Sequence, residues 1–197
     1  MKILIGTNNL NKFDKFKIAF EAYAPEIKLF KPSDLGIKGD HKEDADTLLE
    51  NATKKAKFFG EESKMMTISD DTGVFVDALG GEPGIHAKRW HEGTEHERCI
   101  KLLERLKNVP DEKRTAHYGW AFAVYNPHNK KLWTFEYNLN GFMSSEFRDR
   151  GGFGYDKMFN LPQANKHYSE LSNEELNEFG GRGRAVKELV LNTNFLK

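Results

Sequence analysis

At 197 residues the chain can bury a sizeable core without disulfide or metal staples, as one large domain with two lobes at most. Charged residues make up 30% and hydrophobic ones 38%, and a formal net charge of +0 excludes a strong overall field that would favour a nucleic acid polymer or a membrane surface. One cysteine, Cys99, excludes an internal disulfide and any multi-cysteine metal site.

Residues 2–6 read as a short buried strand, and their apolar run is far too short for a secretory signal. No segment reaches the length of a membrane span, so a soluble cytoplasmic protein is expected. The polar turn Thr7-Asn8-Asn9 leads into a helix predicted from about Leu10 to Tyr23, with Phe13, Phe16, Ile18 and Phe20 as its apolar positions. A second strand is predicted over 27–30. A helix is predicted from Ala45 to Phe59, with Leu48, Leu49, Ala52 and Ala56 at helical spacing and Gly60 as its stop. A short apolar strand, Met65 to Ile68, is expected to end in the polar run Ser69-Asp70-Asp71-Thr72-Gly73. Thr94-Glu95-His96-Glu97 fits a capping box, opening a helix that carries Cys99 as a core residue and ends before Pro110. Thr115 to Tyr125 and Leu132 to Phe142, joined by Asn126-Pro127-His128-Asn129, form a long hairpin. Ser172-Asn173-Glu174-Glu175 is a second capping box, and a last helix covers roughly Arg184 to Leu191. Strands alternating with helices, then a hairpin, give one α/β domain with a mixed sheet.

Five stretches could carry chemistry. Asp70 and Asp71 at a strand's end suit a divalent cation, because ligands of open α/β sheets collect at those ends and Mg²⁺ takes one or two carboxylates with phosphates and water. The same residues also suit an ordinary polar turn. Thr7-Asn8-Asn9-Leu10-Asn11-Lys12 joins a strand to a helix, so its backbone N–H groups can face an anion, although Asn and Thr are equally good plain caps. It lacks the glycines of a Walker A loop. Glu43, Asp44 and Asp46 precede a helix bearing Lys54, Lys55 and Lys57, a pattern that serves either a metal and phosphates or the helix dipole. Gly151-Gly152-Phe153-Gly154-Tyr155-Asp156 offers aromatic faces and a carboxylate to a nucleobase, or is a glycine turn with aromatics packed inward. Gly180-Gly181-Arg182-Gly183-Arg184 heads the last helix and brings an arginine able to donate to a keto oxygen or phosphate, or simply to face solvent.

The order of these motifs resembles the inosine triphosphate pyrophosphatase family from the first strand to the last helix. Thr7 to Lys12 is similar to its phosphate loop, and Glu50-Asn51-Ala52 with Lys55 to its Glu-Asn-Ala helix. Ser69 to Gly73 is similar to its Asp-Asp-Ser-Gly signature with Thr72 for serine, and Asp77 to Gly84 to the run that follows. Gly152 to Asp156, Glu170-Leu171-Ser172 and Arg182-Gly183-Arg184-Ala185 complete the set. The resemblance implies an elongated mixed twisted sheet flanked by helices, two lobes with a central cleft, and a homodimer. It implies Mg²⁺-dependent hydrolysis of ITP, dITP or XTP to the monophosphate and pyrophosphate. Asp71 would be the general base and, with Glu43, a metal ligand. Thr7, Asn8, Asn9, Leu10, Asn11, Lys12, Lys55 and Thr72 would meet the phosphates or the rest of the substrate, with Arg89 nearby. Phe153, Gly154, Tyr155, Asp156, Gly181 and Arg182 would form the base pocket. Two departures fall in that pocket: Leu176 stands where the family has lysine, and Gly180-Gly181-Arg182 where it has Ser-His-Arg. They leave open a broader base preference, and a nucleotide-binding protein without turnover is the alternative of another class.

Overall fold

The computed structural model describes residues 1–39, 44–148, 152–191 and 193–196. Among these the strands and helices run in the order β1 (Lys2–Ile5), α1 (Leu10–Tyr23), β2 (Lys28–Phe30), α2 (Leu48–Ser63), β3 (Thr67–Val76), β4 (Pro83–Gly84), α3 (Glu95–Leu106), β5 (Thr115–Tyr125), β6 (Leu132–Met143), β7 (Phe159–Leu161), β8 (Lys166–His167), α4 (Asn173–Phe179) and α5 (Gly181–Leu191). The strands form one open mixed sheet in the order β2-β1-β3-β5-β6-β7-β8, with β4 beside β3. β1 is parallel to β2 and to β3, whereas β4 on β3, β7 on β6 and β8 on β7 are antiparallel. Ile3, Leu4 and Ile5 of β1 are fully buried, as an apolar run in a covered parallel strand requires.

α1 begins where the sequence places it, because the Asn9 side chain accepts the Lys12 N–H at 3.2 Å. Both capping boxes form. Thr94 and Glu97 exchange hydrogen bonds at the head of α3, and Ser172 and Glu175 do so at the head of α4.

Three expectations need correction. α2 starts at Leu48, capped by Thr47, and runs through Gly60 to Ser63. Gly60 is no stop: a Cβ there would come within 2.8 Å of the Tyr125 ring, so the glycine makes room for packing inside the helix. β3 does not end at Ile68 but continues through both aspartates to Val76. Its parallel pairing with β1 nevertheless finishes at Ile5 opposite Ile68, so Asp70 and Asp71 lie just past the carboxyl end of that ladder. α5 starts at Gly181, three residues before Arg184, because its glycines are seats for neighbours and not a flexible loop.

The chain divides into two compact units. The first comprises Met1–Asp71, Trp120–Tyr137 and Leu176–Lys197, and the second Thr72–Gly119 and Asn138–Glu175. In the first, α1 packs on α5, and Phe16 meets Phe122 edge-on at 6.1 Å. Ala52 and Ala56 of α2 lie against Ala121, Ala123 and Tyr125 of β5. In the second, Tyr118, Phe159 and Tyr168 form an aromatic cluster. Among the described residues no helix is long and apolar enough to cross a membrane.

Candidate active site

Within the first unit, β1, α1, α2, β3 and α5 bring five ionic side chains together. Asp71 is 5% exposed, and its carboxylate accepts from the Asn51 amide at 3.0 Å and from the Lys55 ammonium at 3.5 Å. Asn51 and Lys55 sit one helical turn apart on the buried face of α2, which is why both reach β3. The Asn51 carbonyl is itself held by the Ala45 N–H at 3.1 Å.

Asp70 is 2% exposed, and its Oδ2 accepts from Lys12 at 3.3 Å and from Arg182 at 2.5 Å. Burial alone would raise the Asp70 carboxyl, but Arg182, Lys12 and Lys55 outweigh it and hold the group well below the usual carboxylate range. The Lys12 ammonium is shifted down, first by burial and then by Lys55 and Arg182, against the pull of Asp70.

The turn ahead of α1 uses part of its polar inventory on itself. Thr7 Oγ1 accepts the Asn9 N–H at 3.2 Å, Asn9 caps Lys12, and the Asn8 amide donates to the Gly39 carbonyl at 3.1 Å. Leu10 and Asn11 are exposed on the first turn. That turn carries no acidic residue, so the helix start stays electropositive.

Thr72, Arg89 and Phe153 to Asp156 belong to the second unit. Arg89 is exposed and donates to His86 Nδ1 at 3.3 Å. The Phe153 segment is fixed from several sides: Gly154 N–H to Glu95 at 3.1 Å, Tyr155 hydroxyl to the Ala87 carbonyl at 3.2 Å, and Asp156 to the Tyr118 hydroxyl at 2.8 Å and the Phe153 N–H at 3.3 Å. Tyr155 and Asp156 are buried while Phe153 is half-buried, so one aromatic packs inward and the other keeps an accessible part. Burial and then Asp156 push the Tyr118 phenol well above its ordinary pKa, so it stays a donor.

Glu43 lies outside the described residues. Gly181 is buried against Trp120, whose ring lies 2.5 Å from where a Cβ would be. Sequence reasoning took Asp70 only for a cation and missed its ion pair with Arg182, and it missed Asn51, Tyr118 and Trp120 as site-forming residues. For Asn51 the spacing to Lys55 was the available signal. For the other three, nothing local to the sequence announces the contact.

The sequence profile of the Ham1 family matches residues 3–191. The chain belongs to the Ham1 family. Among family relatives, the dITP/XTP pyrophosphatase of Thermoanaerobacter sp. (strain X514) is 38% identical over 191 residues, covering 96% of this chain and 94% of the relative. That of Geobacillus kaustophilus (strain HTA426) is 36% identical over 190 residues, covering 95% and 92%. The Ham1 protein of Staphylococcus aureus superposes with a TM-score of 0.83 at 28% identity over 100% of both chains. A HAM1 protein from Coxiella burnetii gives 0.82 at 27% identity over 96% of each.

The donor set can be tested against the metal that the family resemblance implies. No group of three or more potential protein ligands forms among the described residues, but Mg²⁺ needs only one or two carboxylates when phosphates and water fill the rest. Asp71, buried and beside cations that also attract phosphate, meets that requirement.

Proposed function

We propose that this Ham1 chain hydrolyses hypoxanthine and xanthine nucleoside triphosphates (ITP, dITP and XTP), with Asp71 as the general base. A water oxygen bonds to the α-phosphorus, the α–β phosphoric anhydride bond breaks, and the products are monophosphate and pyrophosphate. The observation that carries this reading is the buried Asp71 carboxylate, oriented by Asn51 and Lys55 beside the Lys12 end of an electropositive helix. A carboxylate fixed by donors can take a proton from water in a defined direction, and lysines close by neutralise the incoming phosphates. The relatives bear the name dITP/XTP pyrophosphatase, which supports the substrate class.

Asp71, with Glu43, would hold Mg²⁺. The ion would supply further neutralisation of the triphosphate. Lys12, Lys55 and the N–H groups opening α1 bind and orient the phosphates. Phe153 offers its ring face to the base. The reading includes a single functional domain, a homodimer and a cytoplasmic location; sedimentation of the purified protein checks the dimer.

A broader base set is the second reading, favoured by one observation. The space beside Gly181 is filled by the Trp120 ring, so the histidine that the resemblance expects there has no room next to Arg182. Pyrophosphate release across ITP, XTP, GTP and ATP separates the two readings through kcat/KM ratios. On the preferred substrate Asp71→Asn is expected to lower turnover by roughly 10²–10⁴-fold, the scale of acid–base catalysis. A variant within about threefold of the parent would remove Asp71 from the base role.

A further inference from the structure

We infer that Arg182 is a positioning residue for the triphosphate end of the site: by binding Asp70 it leaves the Lys12 ammonium available to phosphate oxygens. The inference rests on the reading above that Lys12 meets the triphosphate.

The geometry is a competition for one atom. Asp70 Oδ2 receives both the Arg182 guanidinium at 2.5 Å and the Lys12 ammonium at 3.3 Å. The two cations are not equivalent. The Arg182 side chain is 9% exposed and that of Lys12 is 22% exposed, so Lys12 is the one with access to solvent and to an arriving anion. Arg182 is also fixed in place. Its guanidinium carbon lies 5.7 Å from the Phe16 ring centroid, and its Nε is enclosed with no hydrogen-bond partner among the described residues. A guanidinium that has given up hydration at Nε and lies against an aromatic ring serves as a static counter-ion.

Removing that counter-ion would leave a buried carboxylate short of positive charge, the costly case for an ion pair in the interior. Lys12 would then be drawn onto Asp70, and a phosphate would have to win it back. Arg182 sits 112 residues from Asp70 in the chain, at the first turn of α5, so one end of the last helix holds the carboxylate that would otherwise claim the lysine of the first. This task is distinct from any contact of Arg182 with a base, and it predicts an effect on a ligand that has no base.

The probe is inorganic tripolyphosphate, titrated calorimetrically into the full chain in EDTA so that metal affinity does not enter. Arg182→Met keeps the length and apolar contacts of the side chain but removes its charge, and is expected to weaken tripolyphosphate binding by about tenfold. Arg182→Lys is expected to bind within about threefold of the parent, because the counter-charge is retained. The double variant Asp70→Asn/Arg182→Met removes both members of the pair. It leaves no uncompensated buried charge, so it should fold even where Arg182→Met does not. It is expected to bind tripolyphosphate within about threefold of the parent, since the Asp70 carboxylate then no longer competes for Lys12. A double variant about tenfold weaker would mean that Arg182 touches the phosphates itself and would overturn the inference; so would a folded Arg182→Met variant with unchanged affinity. Pyrophosphate release from ITP by the parent chain is measured alongside. Its absence would sink the hydrolase reading while leaving the tripolyphosphate comparison to decide the role of Arg182.

Discussion

Asn51 faces two ways, and both faces matter. Its amide donates to Asp71 at 3.0 Å while its carbonyl accepts the Ala45 N–H at 3.1 Å, and the residue is 1% exposed. It therefore ties the segment ahead of α2 to the carboxylate proposed as the base. Asn51→Ala strips a partner from a buried backbone N–H and from a buried carboxylate oxygen. Leaving a buried polar group unsatisfied costs about 1–3 kcal/mol. Urea unfolding should therefore show Asn51→Ala less stable than the parent by about that amount, with turnover falling as well because Asp71 loses its orientation. A variant of unchanged stability would mean that water replaces the amide on both sides. The motif Glu50-Asn51-Ala52 was visible in the sequence, but that Asn51 reaches Asp71 depends on α2 packing on β3, which no local pattern states.

At the scale of elements, α5 reverses a rule of helix propensity. Glycine inside a helix is less favourable than alanine by roughly 0.5–1 kcal/mol, so Gly183→Ala would ordinarily stabilise. Here a Cβ at Gly183 would run into the backbone of Asn177 in α4, and backbone cannot swing aside as a flexible side chain can. Overpacking of this kind costs typically 1–3 kcal/mol, which exceeds the propensity gain. Gly183→Ala is therefore expected to lower the Tm, and a rise in Tm would show that α4 yields freely. The same crowding by Trp120 at Gly181 means that Gly181→His would disturb packing before it could add a base donor. These glycines explain why the start of α5 was misplaced by three residues: read alone they are helix breakers, whereas their purpose is close approach. Gly60, read as a stop, carries the same lesson. The starts of α1, α3 and α4 were legible because their caps bond within three residues along the chain. β3 was cut short because two aspartates, a threonine and a glycine look like a turn until β1 and β4 are there to pair with the strand.

For the molecule as a whole, neutrality and local charge pull in different directions. The order of motifs along the full chain was enough to reveal the family, since it needs no tertiary information. The Asp70–Arg182 pair was hidden, because a contact across 112 residues leaves no local trace. Thirty basic residues balance thirty acidic ones, so no long-range field gathers a polyanionic substrate. The attraction resides in Lys12, Lys55 and Arg182 set against Asp70 and Asp71 at contact distances of 2.5–3.5 Å. Salt separates the two contributions. The Debye length shortens from about 30 Å at about 0.01 M to about 10 Å at about 0.1 M, which screens a long-range field but leaves contacts of a few ångströms nearly untouched. Across that window, at fixed free metal, kcat/KM for ITP is expected to fall by less than about threefold, because there is no overall field to screen. A steered enzyme would lose on the order of tenfold or more over the same range. A drop of that size here would show that the local cationic cluster projects its field well beyond the site despite the neutral chain around it.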